Sequence, residues 1–574
     1  MSAEDITAGE RTGPPRGGAA GGRAGVSGGR AGEAGGPDGH ARAPGPLART
    51  LARVDAALDR LYGSRYNPLL QSGPIAVALL LVLLVTGIYL LLFYRIGDPH
   101  GSTARIAGQA WTGSWIRSLH RFSSDAALVA VAVHALRMFA RRRTWGARAL
   151  AWLSGLALVG LFGLIAVTGF VMAWDVQGQV LAEEGARLLD ALPVFAEPVG
   201  RTFIGERPLP GAFFFLNYFL HIAVPLGVGA LLYVHVSRVA RPVLLPPRGL
   251  GWGLVGLLVL LAVAWPAPLG PAADPARLVT SAPFDWFFGA WLPVSRALPA
   301  WAVWAAGGAA VLAAVAVPVL TRPAPAARPA PSRVDPATCT GCEQCVIDCP
   351  WEAIALVARA PGDPRPGPVA RVDPAACVSC GICAGSCAPM GVGPPGRTGR
   401  DQVARVREFL AARAPGPRDV VLVACSSGPG GLERLGAAGG AAAAGDAVAR
   451  GGTIPWPVSC AGSLHTSVVE LLLRGGAGGV VIAACPARDC WNREGTKWAE
   501  QRLFHDREAE LQARVERRRV RWVEAGAGRP EVVAAAVAEL RAEIATLPGP
   551  AAERAPEPDL ACETAADRSV ETVG

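Results

Sequence analysis

Residues 115–139 read WIRSLHRFSSDAALVAVAVHALRMF, an apolar run in which His120 and His134 stand fourteen residues apart. That interval is almost four α-helical turns, so the two imidazoles share one face and lie about 21 Å apart along the axis. The separation suits two stacked cofactors. The run from Phe213 to Val239 repeats the interval with His221 and His235. Two such helices side by side would make two facing histidine pairs.

One histidine in an apolar helix is ordinarily a core residue or part of a proton relay. Four at matched spacing read as axial ligands to haem. Arg117 precedes His120 by three residues and Arg137 follows His134 by three, so each is placed on the histidine face to pair with a haem propionate near a membrane surface. Gly73 and Gly87, in one neighbouring apolar run, and Gly155 and Gly169, in another, repeat the fourteen-residue interval. A residue without a side chain lets a helix approach a flat macrocycle closely.

The chain has 574 residues, of which 51% are hydrophobic, and a mean hydropathy of +0.31. That is too apolar for a soluble protein and too long for one domain. The net charge of +9 is almost all arginine, Lys497 being the only lysine, and no RNA- or DNA-binding motif accompanies it. All 13 cysteines lie at or beyond Cys339, which confines cysteine chemistry to the second half.

Residues 1–46 are rich in Gly, Ala, Arg and Pro without apolar periodicity and read as a disordered tail lacking the apolar stretch of a signal peptide. An amphipathic piece from Leu47 to Leu61 is expected along the membrane surface. Apolar runs at roughly 72–94, 124–140, 149–173, 213–238, 251–267 and 299–320 are each near the length of a membrane span. Six spans would put both termini on one side. The loop 140–149 carries Arg141, Arg142, Arg143 and Arg148, and the loop 238–249 carries Arg238, Arg241 and Arg248, neither with an acid. The positive-inside rule makes these loops, and both termini, cytoplasmic. The loop 174–212, with Asp175, Glu183, Glu184 and Asp190, belongs outside.

Over about residues 65–320 these features resemble the cytochrome b subunit of the quinol-oxidising cytochrome bc complexes, including TGFVMAW at 168–174, which is similar to the family motif that opens the outer quinone site. The resemblance implies that His120 and His221 hold an outer haem b and that His134 and His235 hold an inner one. It also implies dimers, hence a homodimer here. Phe284-Asp285-Trp286-Phe287 stands where the family has Pro-Glu-Trp-Tyr. Asp285 and Trp286 are thus the expected catalytic pair, Asp285 accepting a quinol proton on a shorter arm. Two family residues are replaced: a Gly after the Trp by Asp175, and an inner quinone-binding His by Ala240. The second loss calls for another acceptor at the inner haem.

Cys339, Cys342, Cys345 and Cys349-Pro, then Cys377, Cys380, Cys383 and Cys387, are the paired runs of a ferredoxin with two [4Fe-4S] clusters. Zinc knuckles rarely show two complete copies of that run. Three close cysteines wrap one cluster and the fourth serves the other, which groups Cys339, Cys342, Cys345 and Cys387 apart from Cys377, Cys380, Cys383 and Cys349. Further on, strands at 419–425, 454–460, 479–485 and 518–524 alternate with helical stretches, a pattern that predicts a parallel sheet. A short helix at about 400–414 precedes them. Cys425, Cys460 and Cys485 end three of the strands, and with Cys490 they suggest a [2Fe-2S] site. His465 reads as a helix residue. VSCAG and AACPARDCWNREGTKWAEQR resemble, over about 418–545, the delta subunit of methyl-viologen-reducing hydrogenases. The resemblance implies an electron-passing domain that serves a heterodisulfide-reductase-type flavoprotein.

The expected chain is multidomain: tail 1–46, an all-α six-helix transmembrane haem bundle 47–320, linker 321–333, a ferredoxin-like iron–sulfur domain 334–395, an α/β domain with a parallel sheet 396–546, and tail 547–574. The expected function is electron transfer between membrane quinone and a cytoplasmic flavoprotein, heterodisulfide-reductase-like or hydrogenase-like partner. The membrane would be the cytoplasmic one, with its lipid around the bundle and the iron–sulfur domains in the cytoplasm. The competing expectation is a non-catalytic relay and docking subunit, since no dinucleotide-binding glycine fingerprint occurs.

Overall fold

A computed structural model describes residues 46–548 apart from 195–196, 204–208, 237–243, 278, 280–281, 323–328, 427, 429–451, 506, 508 and 527. The first half is helical: α1 (Pro46–Tyr62), α2 (Ser72–Phe93), α3 (Pro99–Ala107), α4 (Gly113–Ala140), α5 (Ala149–Ala173), α6 (Val176–Asp190), α7 (Gly211–Tyr233), α8 (Arg248–Ala264), α9 (Leu292–Ala297) and α10 (Ala300–Leu320).

Among the described residues five helices are long and apolar enough to cross a membrane: α2, α4, α5, α7 with its extension to Val236, and α10. The protein is a multi-pass membrane protein. The sixth expected span is α8, whose 17 residues reach about 26 Å, a little short of the roughly 30 Å of hydrocarbon. Around α4 the buried residues are small, Ala127 and Ala130 with Ala76, Ala166 and Ala262 opposite, and Leu79, Phe162 and Leu258 fill between them. Small side chains let the helices approach closely where lipid provides no hydrophobic drive.

Three helices were not expected in the connections between spans: α3, α6 and α9. Asp98 caps α3 by accepting from the Gly101 N–H. Asp175 caps α6 by accepting from the Gly178 N–H, just after α5 ends at Trp174 in a left-handed conformation, φ 46°. A short polar side chain at that position satisfies an orphan helix donor, which is what Asp175 does in place of the family's glycine.

The ferredoxin-like segment comprises β1 (Arg333–Val334), α11 (Gln344–Ile347), β2 (Ile354–Val357), β3 (Val369–Val372), α12 (Ile382–Ser386) and β4 (Val392–Gly393). β1 pairs antiparallel with β4, and β2 with β3, so the first strand of each cysteine run meets the last of the other. Its core is built of cysteines and small apolar residues, among them Ala353, Ile354, Ala370 and Val392.

The helix expected at 400–414 is α13 (Gly399–Arg413), opened by a Thr398–Asp401 capping box. Four parallel strands follow, β5 (Val420–Cys425), β6 (Thr453–Val458), β7 (Gly479–Ala484) and β8 (Val520–Glu524), in the order β6-β5-β7-β8. α14 (Thr466–Arg474), α15 (Gly495–Phe504) and α16 (Pro530–Ile544) accompany them. β5 and β7 are buried throughout, as central parallel strands must be. Pro455 and Pro457 in β6 cannot donate to a ladder, and the strand lies at the edge.

Candidate functional site

Each of the four expected ligand histidines faces one of the four glycines. A β-carbon at Gly73 would lie 3.1 Å from His134 Nδ1, at Gly87 3.3 Å from His120 Cε1, at Gly155 3.5 Å from His235 Cε1 and at Gly169 2.7 Å from His221 Cε1. The glycines therefore make room for the imidazole rings, whereas the sequence reading had them make room for a macrocycle. α2 packs on α4 and α5 on α7, so each ring is seated against its neighbouring helix.

The residue before each glycine is a hydroxyl amino acid: Ser72, Thr86, Ser154 and Thr168. Thr86 Oγ1 lies 2.8 Å from His120 Nδ1, Ser154 Oγ 2.8 Å from His235 Nδ1 and Thr168 Oγ1 3.3 Å from His221 Nδ1. His221 Nδ1 is also 2.9 Å from the Ile165 carbonyl oxygen. Partners of this kind fix the tautomer and turn Nε2 toward a metal. The hydroxyl–glycine dipeptides at the histidine interval were a legible signal that the sequence reading passed over.

His120 and His221 have ring centroids 6.4 Å apart. Two imidazoles sharing one metal at ~2 Å per Nε2 bond would have centroids about 6 Å apart, so this pair fits a bis-histidine haem. His134 lies within electrostatic range of His235, and residues 234–236 form a π turn that sets His235 at the end of α7, a local geometry common at functional sites.

Both flanking arginines are engaged by protein. Arg117 donates to the carbonyl oxygens of Ala267 at 2.7 Å and Pro268 at 3.1 Å. Arg137 is shared between Asp55 of α1, at 2.7 Å, and Asp489, at 3.2 Å. The two arginines thus engage carbonyl oxygens at one end and carboxylates at the other. α1, expected along the membrane surface, packs against the α/β domain, with Arg60 3.4 Å from Glu531 and Ala56 against Gly528.

At the other end of α4, Arg121 binds Asp285 and, at 3.0 Å, Asp125. Its guanidinium also stacks on Phe170 of the TGFVMAW motif at 4.3 Å and lies 5.8 Å from Phe288. One arginine thus gathers the segments expected to form the outer quinone site. The Asp285 carboxylate additionally accepts the N–H groups of Phe287 at 3.1 Å and Gly289 at 2.9 Å. Trp286 is exposed, edge-on to Phe284 at 4.8 Å. Ala240, the site of the missing inner histidine, falls outside the described residues.

In the ferredoxin-like segment Cys345 feels Cys383 as well as Cys387, Cys342 and Cys339, and Cys383 feels Cys377 and Cys349, so the two cysteine runs come together in one core. In the α/β domain Cys425 and Cys485, at the carboxyl ends of β5 and β7, have sulfurs 3.4 Å apart. They straddle the point where strand order reverses, the usual ligand crevice of such sheets. Cys460 interacts with both Cys425 and Cys490, completing a run of four thiols. A β-carbon at Gly428 would meet Cys485 Sγ at 2.7 Å, and one at Gly495 would meet Cys460 Sγ at 2.7 Å.

Burial pushes the Cys383 thiol up to about 12, and its neighbour Cys425 pushes Cys460 up to about 12. These thiols stay neutral until a cation that takes thiolates compensates. The donor sets fit iron–sulfur groups, although among the described residues no three His, Cys, Asp or Glu side chains are arranged around a single metal ion.

Ties between the two cysteine domains also escaped the sequence reading. Arg502, fully buried, donates to Ser386 at 2.9 Å and to the Gly462 carbonyl oxygen at 2.5 Å, and pairs with Asp348 at 3.4 Å. His465, expected within a helix, instead precedes α14 as its cap, accepting the Ser467 N–H at Nδ1 and reaching the Cys387 carbonyl oxygen with Nε2 at 3.2 Å.

The comparisons with known proteins follow the same divisions. Residues 59–241 match the family described as cytochrome b/b6/petB, residues 338–391 the 4Fe-4S dicluster domain, and residues 441–548 the methyl-viologen-reducing hydrogenase delta subunit. A solved chain titled "Hyperthermophilic respiratory Complex III" is similar over 46% of this chain and 78% of its own, at 17% identity and a TM-score of 0.35.

Proposed function

We propose that this fusion of a cytochrome b-like membrane segment, a 4Fe-4S dicluster segment and a hydrogenase-delta-like segment transfers electrons between the membrane quinone pool and a cytoplasmic redox partner. The observation that carries the reading is the four-histidine array. One of its ends adjoins the loop of Asp285 and the other adjoins the cysteine domains. Haem b at the histidine pairs, [4Fe-4S] groups at the two ferredoxin-type sets and a [2Fe-2S] group at Cys425, Cys460, Cys485 and Cys490 would supply one-electron carriers.

The residues' own contributions are spacing and control. Thr86, Ser154 and Thr168 orient imidazoles, and the glycines seat them. Arg121 holds Asp285, Phe170 and Phe288 together at the outer end. Arg143 and Arg148 of the first arginine-rich loop contact residues 489–491, and Leu245 of the second accepts from Arg488 at 3.5 Å. With the positive-inside rule this supports a cytoplasmic location for those domains.

Purified protein with its haems should reduce them on addition of a quinol, or oxidise the quinol with an artificial acceptor. Intact haems that exchange electrons with no quinone would contradict the proposal. One observation favours the alternative of a relay and docking subunit in a multi-subunit complex. Asp285, the expected proton acceptor, is already engaged by Arg121 and by the backbone N–H groups of Phe287 and Gly289. Quinone activity that is lost in Asp285→Asn supports the quinone site, and no activity in either protein supports the relay.

A further inference from the structure

Order along the chain would have the histidine sites hand electrons to the ferredoxin-like segment first and to the α/β domain last. The contacts at the junction run differently. Arg137 sits one helical turn beyond His134, and its Nη2 is 3.2 Å from Asp489 Oδ1. Arg141 pairs with Asp489 Oδ2 at 2.8 Å, and Arg143 donates to the Asp489 carbonyl oxygen at 2.6 Å. Arg148 donates to the Trp491 carbonyl oxygen, and its guanidinium lies 5.2 Å from that indole. Cys490 is therefore bracketed by two residues, Asp489 and Trp491, both held by the membrane-side arginines.

Asp489, Arg143 and Arg137 are almost fully buried, and such charges persist only when paired and hydrogen-bonded. The contact is therefore a built joint. On its far side the four-cysteine site meets the ferredoxin-like segment: Cys380 is within electrostatic range of Cys460. A β-carbon at Gly381 would meet Ser463 at 3.0 Å. The ferredoxin-like segment itself reaches the arginine loop through Trp351, 5.2 Å from the Arg148 guanidinium.

Resting on the electron-transfer reading above, we propose that the site of Cys425, Cys460, Cys485 and Cys490 is the junction between the membrane histidines and the ferredoxin-like segment, with Arg137 and Asp489 as its positioning pair. A haem held by His134 and His235 would exchange one electron with a cluster held by the four cysteines, with no bond made or broken and no proton required. The ferredoxin-like segment then lies beyond, toward the partner.

The test is spin relaxation in the full-length protein at low temperature. Ferric iron at His134/His235 should speed relaxation of the reduced C-terminal cluster more than that of either four-iron cluster, and His134→Leu should abolish the effect. Asp489→Asn should weaken it while every cluster signal stays at full intensity. In a Cys490→Ser protein that keeps its four-iron signals, their reduction by the haems should slow at least tenfold. Four-iron signals that relax fastest, or that are reduced at the wild-type rate in Cys490→Ser, would overturn the proposed junction and leave the electron-transfer reading standing. Wild-type haems that influence no cluster by either measure would overturn both.

Discussion

The two ends of α4 use the same residue type to opposite purposes. Arg117 and Arg121 turn inward, to the carbonyl oxygens of Ala267 and Pro268 and to Asp285, and hold the membrane segment's own loops. Arg137 and the loop arginines beyond it turn outward, to Asp55, Asp489 and Trp491. One end gathers the loop of Asp285 and the other fastens the α/β domain. A repeated histidine pair thus becomes a directional device through the partners of its arginines.

Removing a ligand at either end breaks the comparison most completely. His120→Leu and His134→Leu should each eliminate one of two b-type haem signals in reduced-minus-oxidised optical spectra and spare the other. If either substitution removes both, the two sites are not independent. The glycines should grade this effect. Gly169→Ala would force a β-carbon to 2.7 Å from His221 Cε1 and should cost the outer haem, whereas Gly155→Ala places it at an ordinary 3.5 Å from His235 and should preserve the inner one. Haem content of the two purified variants is the readout.

At the soluble joint, Asp55→Ala leaves part of the buried Arg137 charge uncompensated. Breaking a buried pair costs on the order of 3–5 kcal/mol, which should appear as early protease cleavage of α1 and a lower unfolding temperature. At the histidines, Thr86→Val and Ser154→Ala each delete one Nδ1 partner, and losses of that kind lower metal-site affinity about 10–100-fold. Haem retention against a competing apo-globin would measure it.

The smallest effect belongs to the connections at the Asp285 end. Glu184 is buried, which works to raise its pKa, but hydrogen bonds from Arg187 and Ser295 and the charge of Arg187 hold it below the usual carboxylate range. Its stabilising tie is then fully present above about pH 4.3, the unfolded value, and is lost as pH falls through the folded one. Glu184→Gln should cost about 1–3 kcal/mol at neutral pH and flatten the acid limb of the stability profile.

What the sequence disclosed follows from how local each signal is. Histidine and cysteine spacings lie within a helix or a loop, so the facing histidines, two ferredoxin-type runs and four strands could be read directly. The capped helix α6 was missed because its first turn, beginning at Asp175, was read as a charged loop. The partners of Arg137 were beyond reach for another reason: Asp55 is 82 residues away and Asp489 lies in another domain. Nothing local in HALRMF tells a propionate-binding guanidinium from one that grips a distant carboxylate. The same distance hid the role of Arg121, whose partner Asp285 is 164 residues on.

The central claim is that one chain aligns two histidine sites with three cysteine sites. A redox titration of the purified protein, followed together by optical and paramagnetic resonance spectra, tests it most directly. The account predicts two low-spin b-type haems, two four-iron signals and one further iron–sulfur signal, all from a single polypeptide. A single haem, or zinc in place of iron at the cysteine sites, would contradict it.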